Sequence, residues 1–307
     1  MNFLKEATDT LLKSFRAFME DNGFQYSAAV SFYTLFSIAP IVMIAVYTAG
    51  IFVGNESVMR ELTGFLNETI GQQSSEAVML LVETIQTENQ SVLYLIISVG
   101  FLIVSATTVF VQFQDSFNRI FKVMIKSEVG VWKLLIDRFM AFGMIVLLGI
   151  AMITSLVLDT LLVSSFDLLS THFESVNLVL TVIGSNLLTI AMIFVAILSM
   201  FYILPDVKVQ WRALIYGSLV TTLLLVIGKF GVGMIIGNSP LNQLSGASSS
   251  VIILMLWVYY SSIIIFFGIE LVKALAERND REIQAGRFAR KFKVVDYAPN
   301  NKKTSTE

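Results

Sequence analysis

Six long apolar runs, at residues 28–53, 92–113, 139–163, 178–204, 213–236 and 249–272, alternate with polar connections along this chain. A helix needs about 20 mostly apolar residues to cross roughly 30 Å of hydrocarbon, and each run is long enough. The pattern therefore predicts an all-α integral membrane protein with six transmembrane helices. The first run carries no charge but contains Pro40, which removes a backbone donor and crowds the carbonyl of Phe36. A kink is expected there, facing the bundle interior, with Ser37, Thr34 and Ser31 close enough to re-satisfy the freed carbonyl.

Between the runs the period changes. In residues 1–26 the apolar positions Phe3, Leu4, Ala7, Leu11, Phe15 and Phe18 share one helical face. Two placements fit: an amphipathic helix at the membrane surface, or a cytosolic helix packed on the bundle. The charges before the first run, from Lys5 to Asp21, argue against a cleaved signal peptide. Between the first two runs, Val58, Leu62, Phe65, Leu66 and Ile70 form one helical face and Val78, Leu81, Val82 and Ile85 another, separated by Gly71. This predicts an extracytoplasmic helical hairpin over the outer mouth, between helices 1 and 2. The organisation expected is an N-terminal segment at 1–26, a membrane domain at 27–272 and a basic tail at 273–307.

Composition agrees. Hydrophobic residues make up 55% of the 307 and charged residues 14%, with a mean hydropathy of +0.75, outside the ordinary soluble range. Charge then orients the spans. The N-terminal segment, the 114–138 and 205–212 loops and the tail hold 3, 5, 2 and 9 of the 21 Lys and Arg residues, whereas the other three loops hold only Arg60. The positive-inside rule thus places both termini in the cytoplasm of a multi-pass plasma-membrane protein. The basic tail can lie along anionic inner-leaflet lipids or form a solvated helix, and residues 298–307 have a disordered composition.

A net charge of −2 disfavours nucleic acid as a partner, leaving membrane lipids. With no cysteine, one histidine (His172, in a polar connection) and no phosphate-binding or zincin motif, the sequence predicts no cofactor, no metal site and no enzyme activity. Candidate chemistry narrows to ionisable groups near the spans, which are costly in lipid. Asp159, Asn186 and Lys229 fall at similar depth and can form an outer polar site, unless Lys229 simply snorkels outward. At the inner side, Asp115, Asn118 and Arg119 end the second run, and Glu270 ends the sixth with Arg212 as a possible partner. These residues form either an inner gate or, for Asp115 and Arg119, a helix-end staple. Pro40 and Ser37 are the candidate hinge.

Several of these residues carry a resemblance. The chain resembles the YihY and virulence factor BrkB family of bacterial inner-membrane proteins through four stretches. They are Ala28-Ala29-x-x-Phe32-Tyr33-x-x-Phe36-Ser37-x-x-Pro40, Gln114-Asp115-x-x-Asn118-Arg119, Tyr202-x-Leu204-Pro205 with Trp211-Arg212-Ala213 and Gly217, and Gly246 with Trp257-x-Tyr259-Tyr260, Gly268 and Glu270. The resemblance implies a six-helix membrane fold without a settled activity. Members have been described as tRNA-processing ribonucleases, but the clustered carboxylates or histidines that a metal-dependent nuclease needs at a basic, solvent-facing site are missing from this sequence. The sequence reading is a transporter or lipid- and amphiphile-handling permease, with a non-transporting envelope scaffold as the alternative.

Overall fold

The computed structural model describes residues 2–85, 92–126, 132–133, 135–147, 149–150, 154, 174–237, 247–278 and 283–292. Most of them are helical. Helix α1 (Asn2–Glu20) turns through Asn22 into α2 (Gly23–Val53), and α3 (Asn55–Ile70) and α4 (Gln72–Ile85) make the expected hairpin before α5 (Val92–Ile120). A helical segment α6 (135–147) follows, then α7 (Glu174–Ile203), α8 (Trp211–Gly237) and α9 (Ala247–Arg278). Among the described residues three helices are long and apolar enough to cross a membrane: Gly23–Ile51, Trp211–Lys229 and Val251–Arg278, with a shorter apolar stretch at Thr189–Ile203. Asp159, His172 and residues 298–307 lie outside the described residues, and for Asn186 only the helical backbone is described.

The bundle is organised around α2 and α9, which pack on each other; α5 packs on α2, α8 and α1 on α9, and α7 on α8. Its core is aromatic at one end, where Phe117 and Phe266 are fully buried and meet Phe113, Phe201 and Tyr26 at ring-centroid distances of 5.5–5.9 Å. At the other end Val58, Leu62, Val78 and Val82 of the hairpin pack on Val42, Met43 and Val46 of α2 and on Leu254 of α9.

Small residues let α8 and α9 approach closely, as the Ala213-x-x-x-Gly217 spacing predicts. A Cβ on Gly217 would lie 2.2 Å from Val272, and one on Gly268 would lie 2.0 Å from the Thr221 hydroxyl. The turn from α1 to α2 is equally tight. Asn22 takes the left-handed conformation (φ 61°), and the ring of Phe18 fills the space a side chain at Gly23 would need.

Two features correct the sequence expectations. Pro40 sits inside an unbroken α2, and the Phe36 carbonyl is answered from a neighbouring helix: Ser105 of α5 donates to it at 2.9 Å. Ser37 donates in turn to the Ser105 carbonyl at 2.6 Å, while Thr34 and Ser31 bond within α2, to Val30 and Ala28. The fold is also not purely helical. Short strands β1 (Val123–Ile125), β2 (Val207–Lys208), β3 (Gln284–Ala285) and β4 (Ala289–Lys291) pair antiparallel as β1 with β4 and β2 with β3. Residues 283–292 of the tail are therefore neither a solvated helix nor a free basic strand. They are clasped to the segments that follow α5 and α7, because those segments offer open strand edges that need partners.

Candidate functional site

Near the two strand pairs the ends of α1, α5, α7 and α9 and the start of α6 bring together two clusters of charge. The first centres on Lys133, which is only 2% exposed. Its ammonium donates to Asp137, one turn along, and lies 2.7 Å from Asp206 in the connection between α7 and β2. Gln114 of α5 bridges the same two carboxylates at 2.8 and 3.2 Å. Asn118, one turn further, donates to Asp206 at 2.9 Å and accepts the Asp206 backbone N–H at 2.8 Å. Burial works against the Lys133 charge, but hydrogen bonds and charges from Asp137 and Asp206 overcome it and hold its pKa above the ordinary lysine value. The tail is tied to this cluster through the Gly286 N–H, which donates to the Asp206 carbonyl at 2.7 Å.

The second cluster joins α1, α5 and α9. Asp21, just past α1, accepts from Lys122 and, at 3.0 Å, from Lys273. Burial alone would raise the Asp21 carboxyl, but the hydrogen bond from Lys122 and the charge of Lys273 outweigh it and hold the group below the ordinary carboxylate range. Lys122 has a left-handed φ of 55°, and with Asn22 it is one of two non-glycine residues so strained among the described residues. Such a conformation costs about 1 kcal/mol, and the two sit at the Asp21–Lys122 ion pair, Lys122 as one partner and Asn22 next to the other. Lys273 also reaches Glu270 at 3.3 Å. Glu270 is 1% exposed, and its Oε1 has no hydrogen-bond partner among the described residues, a costly state for a buried carboxyl oxygen.

The structure thus separates the inner group predicted from sequence. Asn118 belongs to the first cluster and Glu270 to the second, whereas Asp115, Arg119 and Arg212 are exposed. Lys273, and not Arg212, is the partner of Glu270. Of the outer group only the Lys229 side chain is described, and it is exposed. Pro40 and Ser37 sit where α2 meets α5. Lys133, Asp137 and Asp206 escaped the sequence reading, although Lys133 and Asp137 stand four apart with opposite charge immediately before an apolar run.

A cavity of about 510 Å³ lies at the other end of the bundle, just beyond Pro40. Ile41, Val42 and Ala45 of α2, Leu62 and Phe65 of α3, Leu147 of α6, Ile150, and Ala191, Met192, Ile193, Val195 and Ala196 of α7 line it, and Thr154 is the one side chain in the lining that carries a hydroxyl. Its wall can hold hydrocarbon but offers almost nothing to a charge.

Apolar helices of this length, buried ion clusters at one end and an apolar cavity at the other define a helical membrane protein. Residues 14–292 match the family described as virulence factor BrkB, and the chain belongs to that family. Its relatives include three proteins described as UPF0761 membrane proteins. That of Pseudoalteromonas translucida is 22% identical over 280 residues, covering 91% of this chain and 89% of the relative. That of Alcanivorax borkumensis is 27% identical over 275 residues, covering 89% and 62%. The third, from Pseudomonas paraeruginosa, is 25% identical over 256 residues, covering 83% and 60%. The chain thus spans about three fifths of the length of the latter two. No solved structure matches.

Proposed function

We propose that this chain is a multi-pass permease of the bacterial plasma membrane, with both termini cytoplasmic, that handles a lipid or another amphiphile. The cavity beyond Pro40 carries this reading. Its volume of about 510 Å³ falls in the range of small-molecule sites, and its lining favours an acyl chain, since burying polar groups without partners is costly. In this reading Pro40 and Ser37 act as a hinge, because the Ser37–Ser105 exchange can break and re-form as α2 bends beside the cavity. Asn118 and Glu270, with the exposed Asp115, Arg119 and Arg212, form the inner gate, and Asp159, Asn186 and Lys229 form the outer polar site. Broken or kinked helices beside buried polar groups are what transporters use. With no ATP-binding motif in the sequence, the energy comes from an ion gradient or from that of the substrate.

The test is reconstitution in liposomes, reading the transfer of fluorescent phospholipid and of amphiphilic dyes between leaflets. Ala191→Phe, which fills the cavity from α7, is expected to abolish transfer while leaving elution and melting behaviour unchanged. Equal transfer by the wild type and Ala191→Phe, or none by the wild type, overturns the reading.

A further inference from the structure

α1 uses only part of its apolar face for packing. Phe18 and Ser14 are buried, and Phe18 is seated against Gly23. Next to that buried line, Leu11, Phe15 and Met19 follow one another at four-residue spacing, with Leu12 beside them, and all four are 42–54% exposed. At 100° per residue, Lys5 and Arg16 fall along the line of Leu12, at the outer edge of this stripe, and both are exposed. Carboxylates are kept off it. Asp9 and Glu20 lie outside the stripe, one turn along from Lys5 and Arg16 and just beyond them on the polar face, Glu6 pairs with Arg278, and Asp21 is held by Lys122 and Lys273.

The stripe cannot turn freely, because ion pairs fix both ends of α1 to α9: Glu6 with Arg278, Lys13 with Glu277 at 3.1 Å, and Asp21 with Lys273. It also lies at the end of the bundle where the interfacial aromatics gather. Trp132 is 75% exposed, and Trp211 stacks on Tyr202 with ring centroids 4.7 Å apart. Such aromatics mark the headgroup level of a membrane protein. A half-exposed apolar stripe edged by cations at that level has the chemistry of an in-plane membrane helix.

We propose that the exposed stripe of α1 docks into the inner leaflet, with Leu11, Leu12, Phe15 and Met19 among the acyl chains and Lys5 and Arg16 on the phosphates of anionic phospholipid. The inference does not depend on transport. It places a lipid contact on α1, a segment separate from the basic tail, whose residues 284–285 and 289–291 are paired in strands.

The chain has no cysteine, so single cysteines can be introduced directly. Phe15→Cys, Met19→Cys and, on the polar face, Asp9→Cys are labelled with an environment-sensitive fluorophore in the full-length protein. The labelled proteins are reconstituted in phosphatidylcholine vesicles with or without phosphatidylglycerol. Labels at 15 and 19 are expected to show blue-shifted emission and quenching by lipids spin-labelled near the headgroup, more strongly with phosphatidylglycerol, while the label at 9 reports water. Lys5→Glu with Arg16→Glu is expected to remove the phosphatidylglycerol dependence without changing the elution profile. Water-like emission at 15 and 19 overturns the proposal. So does label-to-label quenching that disappears on dilution with lipid, which assigns the stripe to a second copy of the chain.

Discussion

Replacing Lys133 with methionine keeps much of the side-chain volume and removes one buried charge. Asp137 and Asp206 are then left facing each other across the space the ammonium held, and the cluster changes from a net charge of −1 to −2. Removing one partner from a buried ion pair costs about 3–5 kcal/mol. Gln114 still bridges both carboxylates, and Asn118 still holds Asp206 through two hydrogen bonds. The lower end of that range, about 3 kcal/mol, therefore applies. For a chain of this size 1 kcal/mol corresponds to about 2 °C, so Lys133→Met should melt about 6 °C lower in detergent, read by tryptophan fluorescence or by loss of the monodisperse peak on heating. Adding Asp137→Asn returns the cluster to a net −1 and should recover at least about 1 kcal/mol, a coupling only contacting groups show. The pH dependence gives a second check. A raised lysine pKa contributes stability that is complete below the ordinary value of 10.5 and is lost only as the pH climbs through the higher folded value. The deficit of Lys133→Met should thus be the same at pH 7 and pH 9. A melting point within 1 °C of the wild type, or a double variant no better than the single one, would refute the reasoning.

Three further outcomes are expected. Ser105→Ala strands the Phe36 carbonyl, while the Ser37 hydroxyl keeps the Ser105 backbone carbonyl as its acceptor, and should cost about 1 kcal/mol; in a Pro40→Ala background, where the backbone donor is restored, the cost should shrink, and equal costs in chemical denaturation would remove the link between the two residues. Gly268→Ala places a Cβ 2.0 Å from the Thr221 hydroxyl and should destabilise by about 1–3 kcal/mol, with Thr221→Ala recovering part of the loss in the same melting assay. The lowered Asp21 carboxyl contributes stability that is present above its ordinary value of 3.8 and is lost as the pH falls through the lower folded value. Asp21→Asn should therefore lower the melting point at pH 7 and narrow its gap from the wild type only in acid, and a constant gap down to pH 2 would count against the ion pair.

What could be read from the sequence follows from the range of each interaction. The apolar runs and the amphipathic faces of α1, α3 and α4 announce themselves because helical period and length are local properties. Pro40 declared a problem without declaring its solution, since Ser105 lies in an ordinary apolar run and meets Phe36 only after α2 and α5 pack. The same holds for Asp206, which looks like a loop residue after Pro205 until Asn118, Gln114 and Lys133 close around it. Glu270 stood out because a carboxylate in an apolar run is conspicuous, but its partner was the near one, Lys273, and not Arg212 across the bundle. The tail misled for a different reason: its many cations draw attention to charge, whereas pairing of β1 with β4 and β2 with β3 depends on two-residue and three-residue edges that leave almost no trace in composition.

That pairing also sets an order of assembly. Val123 meets Lys291 across more than half the length of the chain, and Val207 meets Ala285 only after α8 and α9 have been made. Contacts so distant in sequence form late, once the intervening segments have been placed. During synthesis the edges of β1 and β2 must therefore wait, unpaired, until α9 and residues 284–291 have emerged. A chain interrupted before residue 283 would carry α2, α5, α8 and α9 but would leave that face unsealed, and open edges of this kind are what aggregation and surveillance proteases act on. Docking of the tail strands thus has to follow the making of the helices that lie between the paired segments.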